Sequence, residues 1–368
     1  GDAAKVLAHY TDLVRLFPDD ERAHTLLGNL YFGRQDYGKA IEHFVKATSI
    51  NPSFSQPYNQ LGYAYRFQGR MADAETAFKK YIQLIPDDPN PHDSYAELLM
   101  KMGRFEESIK AYEKALAIDP NFVASHVGIG NNHLSAGRPE QARTAFAKIA
   151  SVARNTGEKR QARFWTAASY VHEGAFDKAI EELRAGYRLA EAEHDGGSMS
   201  GDLVLMGDIL REAGRFDEAA EKYAESLAVI NAAQVPDAVK DATRRNHVFE
   251  EARLAAARND LATAKTKADE FARLTMPRNA PAETRQRHEL AGLIALGEKR
   301  YPAAVDELSA ANQQDPRILY LTAVALRGAG NEAKSRVVAG QAAKFNGLGF
   351  NYAYVRSKAI KFGTRGTE

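Results

Sequence analysis

Three pairs of adjacent carboxylates, Glu106-Glu107, Glu181-Glu182 and Glu250-Glu251, have the type that suits general acid–base work. That work needs two carboxyl groups converging on one bond. Adjacent residues of a helix point about a hundred degrees apart, so these pairs read as solvated surface. The ten histidines are scattered; His126 and His133 stand where other segments of the chain place packing aromatics, and they read as core or half-core residues, not metal ligands. "HEL" (288–290) lacks the second His of a zinc-protease helix. "GIGNNH" (128–133) lacks the third Gly of a dinucleotide fingerprint, and no strand precedes it. "GGSMSG" (196–201) resembles a phosphate loop only in glycine count and reads as a flexible corner. No Ser/His/Asp set with a nucleophile elbow is present. The expectation is a chain that is not an enzyme and holds neither cofactor nor metal. An enzyme would need a deep pocket with convergent polar groups near Trp165 and His172, where the longer segments begin.

Composition narrows the partners. Hydrophobic residues make up 44% and charged residues 26%, the balance of a folded, soluble chain. Lys+Arg number 49 against 48 Asp+Glu, a formal charge of +1, and neither half is lopsided. Phosphate backbones and anionic membranes select for excess positive charge, so nucleic acid is a poor partner. The mildly basic stretch 240–287 alternates in sign, as a solvated helix face does. No apolar run is long enough to insert in a membrane. Cys is absent, which excludes thiolate chemistry and fits an oxidising, extracytoplasmic compartment better than a reducing one.

The strongest signal carries no chemistry at all. "HTLLGNLYFGRQDYGKAIEHFVKATSINP" (24–52) returns, altered, at Tyr58, His92 and His126, with 34 residues between equivalent positions. The Leu27-Gly28 pair recurs as Leu61-Gly62, Tyr95-Ala96 and Ile129-Gly130. Each pair is followed by a large residue (Tyr31, Tyr65, Leu99, His133), then a small one (Ala40, Ala74, Ser108, Ala142), then an aromatic (Phe44, Phe78, Tyr112, Phe146). Pro52, Pro86 and Pro120 close the first three units. Leu26, Leu27, Leu30 and Tyr31 sit at helical spacing, as do Ile41, Phe44, Val45 and Thr48. Gly33 with Asp36, then Gly69 and Gly103, break the pattern between them. Each unit is therefore expected to be two antiparallel helices that approach closely at the small residues. One hairpin cannot bury its own apolar face, so the units must stack.

This pattern resembles the tetratricopeptide repeat family, with His24, Tyr58, His92 and His126 in the slot where that family often has Trp. The resemblance implies an all-α, right-handed solenoid of about eight or nine hairpins. Residues 1–20 are expected to be the second helix of a truncated repeat, which suggests a chain trimmed from something longer. Four regular units follow over 21–152, then four longer, degenerate ones over 153–316, with inter-helix turns at Gly174, Gly214, Asn259 and Lys299. Their corners are expected at 154–159, 193–201, 231–236 and 275–281. A degenerate repeat and a capping helix (351–362) complete 317–368.

By the same resemblance, the first helices line a concave groove that holds a peptide or a partner's helix. The inner-face residues are Arg22, Thr25, Asn29 and Phe32 in the first unit, and Gln56, Asn59, Tyr63, Arg66 and Phe67 in the second. Asn90, Asp93, Glu97 and Lys101 follow in the third, and Val127, Asn131 and Leu134 in the fourth. Asn and Gln both donate and accept, which suits an extended backbone held without reading its sequence. Exposed Phe32, Tyr63 and Phe67 would form side-chain pockets. Thr25, Asn59 and Asp93 lack the lysines with which some family members clamp a terminal carboxylate. The partner is thus expected to be protein or peptide, gripped by a hollow side that the chain's own tail leaves free. Two alternatives stand beside this: Tyr63 and Phe67 pack between hairpins while the asparagines tie turns, or the array is a structural, regulatory or self-assembling (homo-oligomeric) domain of a larger bacterial sensor or secreted protein.

Overall fold

The computed structural model describes residues 3–364. Among them are twenty α-helices and no strand. One helix, α1 (Ala3–Leu16), precedes nine helix–turn–helix repeats, and the chain divides into two compact units, Gly1–Gly137 and Arg138–Glu368. The first unit holds α2 (Glu21–Gly33) with α3 (Tyr37–Ile50), α4 (Gln56–Phe67) with α5 (Met71–Leu84), α6 (Pro89–Lys101) with α7 (Phe105–Ile118), and α8 (Val123–Ser135). The second begins with α9 (Pro139–Val152). It continues with α10 (Thr156–Glu173) and α11 (Phe176–Ala192), α12 (Gly196–Glu212) and α13 (Phe216–Ala232), and α14 (Asp237–Ala257) and α15 (Leu261–Thr275). The pairs α16 (Pro281–Gly297) and α17 (Tyr301–Ala310), and α18 (Pro316–Gly328) and α19 (Glu332–Ala343), lead to a final helix, α20 (Phe350–Thr364).

Each inter-helix turn contains one residue in the left-handed conformation. Gly69, Gly103, Gly137, Gly174, Gly214 and Gly330 take φ between 75° and 80°, and Asn259 and Lys299 take 60° and 58°. The first repeat differs from expectation: Gly33 is the last helical residue, and Gln35, two positions on, carries φ 64°. The amide after such a residue closes the turn on the preceding helix, as in Asp36 N–H to Tyr31 O at 3.0 Å and Arg70 N–H to Tyr65 O at 2.9 Å. This is the bond that ends a helix while satisfying one of its orphan carbonyls.

The small positions are a matter of space. A Cβ built on Gly28 would stand 2.5 Å from the Phe44 ring, and one on Gly62 would stand 2.5 Å from Phe78. Phe44, Phe78 and Ala40 are fully buried. The slot holding His24, Tyr58, His92 and His126 ties each repeat to the corner before it. His24 Nε2 lies 3.0 Å from Pro18 O, Tyr58 OH donates to Pro52 O at 3.3 Å, His92 Nε2 lies 3.2 Å from Pro86 O, and His126 Nε2 lies 3.0 Å from Pro120 O. A carbonyl only accepts, so Nε2 carries the proton in all three histidines.

Longer helices, not longer corners, absorb the extra residues of the second unit: α10 to α14 run 17 to 21 residues, against 12 to 14 in α2 to α8. "GGSMSG" is accordingly not a corner but the start of α12. Asp195 accepts from the Ser198 amide at its N-terminus, and Gly196 abuts Ala233. Nor is α20 limited to covering the last hairpin. It packs on α19 but also on α18 and α10, and Phe350, Ala353, Tyr354 and Val355 enter the main core of the unit.

Candidate protein-interaction surface

In the first unit each first helix touches the next one: α2 meets α4, α4 meets α6, and α6 meets α8. The second helices have no comparable contact with one another. Curvature follows, with the first helices on its inner side. Their inner row is partly tied together. Tyr63 OH donates to Glu97 Oε2 at 3.0 Å and Ser94 Oγ at 3.3 Å, and Arg66 Nη1 pairs with Glu97 Oε1 at 2.6 Å. Arg66 lies flat over Tyr63 and Phe67, its carbon 4.9 and 4.8 Å from the ring centroids. Phe67 stacks on Tyr37 at 5.0 Å, and Phe32 meets both edge-on. Phe32, Tyr63 and Phe67, expected to be exposed, are half-buried in this cluster, which Tyr37 completes.

The remaining inner-row residues fall into two sets. Thr25 and Asn131 are buried and bond within their own helices, to Glu21 O at 2.6 Å and Val127 O at 2.9 Å. Val127 and Leu134 are core. Asp93 accepts from Ser125 Oγ at 2.8 Å, and Asn90 Nδ2 donates to Tyr81 OH at 3.3 Å from an exposed position. Arg22 and Gln56 are exposed, Arg22 pairing with Asp20. Asn29 and Asn59 are half-buried with no side-chain hydrogen bond among the described residues, and Asn59 Oδ1 is wholly shielded. Arg66 Nε is likewise buried and unpaired.

Asp93, Glu97 and Lys101 stand one turn apart on α6. Burial pushes Asp93 up to about 7, against the pull of the Ser125 hydroxyl and with Glu97 adding to the rise. Burial, then Arg66, bring Lys101 down to about 7. The folded chain thus keeps Asp93 protonated through an interval in which the unfolded chain, titrating near the ordinary 3.8, has released the proton. Its contribution is full below that ordinary value and is lost as pH rises towards about 7. Lys101 works in the opposite direction above 7. Asp93→Asn should remove the decline between about pH 4 and 7, so the variant gains on the parent across that interval in urea titrations of the intact chain. Parallel curves would exclude this account.

The second unit holds polar groups that sequence reasoning missed. Its first helices carry a ladder of buried charges: Asp208 and Arg211 on α12, Glu250 and Arg253 on α14, Glu289 on α16. Arg211 Nη1 lies 2.8 Å from both Asp208 Oδ1 and Glu250 Oε2; Arg253 Nη1 lies 2.9 Å from Glu250 Oε2, and its Nε 3.2 Å from Glu289 Oε1. Burial raises Glu250, whereas at Asp208 Arg211 and Arg253 outweigh burial and hold the carboxyl below its ordinary range. Glu250 is therefore not solvated surface: it is 4% exposed. Its neighbour Glu251, turned about a hundred degrees away, pairs with Lys267 instead. The available signal was Asp208/Arg211 and Glu250/Arg253, each spaced i, i+3 on the face of a first helix.

Trp165 and His172 do not open a pocket together. Trp165 packs between Phe146 and Phe164. His172 lies against Tyr352 and is lowered to about 4 by burial, then by Arg356. Among the described residues no three His, Asp or Glu side chains converge as metal ligands, and no helix is long and apolar enough to cross a membrane.

Comparison with known proteins agrees with the repeat. Family models described as tetratricopeptide repeat match residues 21–54, 55–88, 127–194 and 203–235, and one described as TPR repeat matches 96–137. No curated protein matches the chain in sequence. Among solved structures, PilW, a type IV pilus biogenesis factor, is 20% identical, with 58% of this chain and 95% of that one covered and a TM-score of 0.42. Pseudomonas aeruginosa pilF is 18% identical over 60% and 91% of the two chains, with a TM-score of 0.38. MamA is 19% identical over 45% and 96%, with a TM-score of 0.36. With the 34-residue period, the paired helices and five family matches in agreement, the chain belongs to the tetratricopeptide repeat family.

Proposed function

We propose that the inner row of the first unit binds an extended segment of a partner protein. Tetratricopeptide repeats are typically non-catalytic scaffolds for protein or peptide partners, and the groove is this chain's version of that role. The observation that supports it most is Asn59. Its Oδ1 is shielded from water and accepts nothing, at a cost of about 1–3 kcal/mol for an unsatisfied buried group. Turning the Asn59 amide outward about its terminal torsion presents this oxygen to a backbone N–H of a guest strand, which removes that cost. Asn29, unbonded one repeat earlier, offers both a donor and an acceptor. The Phe32–Phe67–Tyr37 cluster supplies an aromatic wall beside them, and Arg22, Gln56 and Asn90 stand at the exposed ends of the row.

A photo-crosslinking amino acid at Phe67 in the intact chain would capture the partner. Replacing Asn29 and Asn59 together with Ala should then weaken that partner's binding about tenfold, the worth of one or two such bonds. The melting temperature should hold or rise, because Asn59→Ala also removes the unsatisfied oxygen. Asn131→Ala is the counter-test: it should lower stability, because that amide bonds inside α8. Capture unaffected by the Asn29/Asn59 pair would sink the groove reading.

A further inference from the structure

In the second unit the inner wall is covered, and its cover is α20. Phe350 meets Phe164 of α10 edge-to-face at 4.8 Å, and Tyr354 and Val355 pack into the core that α10 and α12 share. Asn351 Nδ2 donates to Asp315 Oδ2 at 3.0 Å, and Lys358 Nζ pairs with Glu212 Oε2 of α12 at 2.6 Å. The expectation of a hollow side free of the chain's own tail therefore fails for this unit.

The core-facing side of α20 is buried, with Phe350, Ala353, Tyr354 and Val355 at most 5% exposed, but open space remains beside the helix. A cavity of about 450 Å³ flanks it on the side of Val355 and Lys358, and another of about 400 Å³ lies beside Asn351. Two buried polar groups at this wall, the Tyr354 hydroxyl and Arg211 Nη2, have no hydrogen-bond partner among the described residues. A wall that evolved only to seal against α20 would match these groups, since each unmatched one costs about 1–3 kcal/mol. The helix is joined to α19 through residues 344–349, where Asn346 and Gly349 take φ 47° and 113°. No helical continuity with α19 holds it in place; the Tyr352 hydroxyl, which donates to Ala343 O of α19 at 2.8 Å, is the tie that displacement must break.

We propose that this wall is a second protein-docking surface, that α20 is its resident occupant, and that a partner's amphipathic helix of the same pattern replaces it. The pattern reads from α20: an aromatic at i, a small residue at i+3, an aromatic at i+4 and a basic residue at i+8, as in Phe350, Ala353, Tyr354 and Lys358. The aromatic positions enter the α10–α12 core, and the basic residue reaches Glu212. A longer or bulkier helix than α20 would also fill the flanking cavity lined by Leu293, Tyr320 and Val324. The inference is independent of the first unit's inner row, since none of these residues belongs to it.

The test uses the full chain and a fluorescein-labelled synthetic peptide of residues 349–364. The parent chain should bind it weakly, because the tethered helix competes at high effective concentration. Lys358→Glu, a change at a side chain 47% exposed, sets two carboxylates against each other and loosens the resident helix. The loosened chain should bind the peptide about three- to tenfold more tightly. Adding Glu212→Lys restores the pair with reversed sign and should return affinity to the parent level or below. Equal affinity in parent and Lys358→Glu chains, or binding by neither, overturns the proposal. So does dimerisation of the loosened chain in light scattering, which would make the occupant a second copy. Hydrogen exchange on the parent gives a separate measure: α20 amides should exchange faster than those of α12, and equal protection counts against exchange of the helix.

Discussion

Glu250→Ala should destabilise the second unit by about 3–5 kcal/mol, far more than its place in an acidic dipeptide suggests. Glu250 accepts from Arg211 on one side and from Arg253 on the other, and all three are at most 8% exposed. Removing the carboxylate leaves two guanidinium groups facing each other in a medium that solvates neither. Asp208, 2.8 Å from Arg211, and Glu289, 3.2 Å from Arg253, compensate only in part, because Glu250 lies 2.8 and 2.9 Å from the two guanidinium groups at once. Desolvated charges that lose a shared partner are among the few causes of losses this large. Glu250→Gln retains an acceptor and should lose less. In a double-mutant cycle, Arg211→Met should make Glu250→Ala markedly less damaging, because one of the two stranded charges is then gone. Denaturant titrations that show a loss under about 1 kcal/mol would mean that water reaches the ladder.

Phe78→Ala should cost about 3–5 kcal/mol and act locally. Phe78 is fully buried, meets the Tyr63 ring edge-on at 5.2 Å, and packs with Ala74 and Leu98. Facing it is Gly62, which has no side chain to move into the space, so the cavity stays open. The same contact explains why Gly62 is not Ala, although Ala is the better helix former by about 1 kcal/mol. Each repeat contacts only its neighbours, so the loss should not spread evenly. Hydrogen exchange should show α4 to α7 opening first, with the second unit's amides unchanged. Uniform loss of protection along the chain would contradict a quasi-one-dimensional array.

These two sites mark how much of the protein could be read from its residues in order. Leu27-Gly28, Ala40 and Phe44 at a fixed spacing determine a hairpin because each contact lies within one repeat or the next. A Gly that must admit a Phe ring is a constraint visible at short range. The same holds for the inter-helix turns: Gly174, Gly214, Asn259 and Lys299 were placed by spacing, and all four take the left-handed conformation. Where the local signal was ambiguous the reading slipped, as at Gly33 and Gln35, or at "GGSMSG", whose glycines looked like a loop but begin a helix. Glycine content cannot distinguish a corner from a helix end pressed against Ala233.

The candidate surfaces were less legible. The inner-row positions of the first unit follow from helical phase, so Asn29, Asn59 and Arg66 could be named from their order in the chain. Whether such a side chain is free or already bonded depends on residues a repeat away: Tyr63 finds Ser94 and Glu97, and Asp93 finds Ser125. Phase also could not show that Asn131 turns back on its own helix. Repeat chemistry by itself determined the hairpins, their stacking and the family. Only the tertiary structure decided that the second unit's inner wall is covered, because α20 reaches α10 across some 180 residues of sequence and Lys358 pairs with Glu212 146 residues away. Periodicity encodes contacts between neighbours in sequence; a terminal helix folding back on its own array is a long-range contact with no period to reveal it.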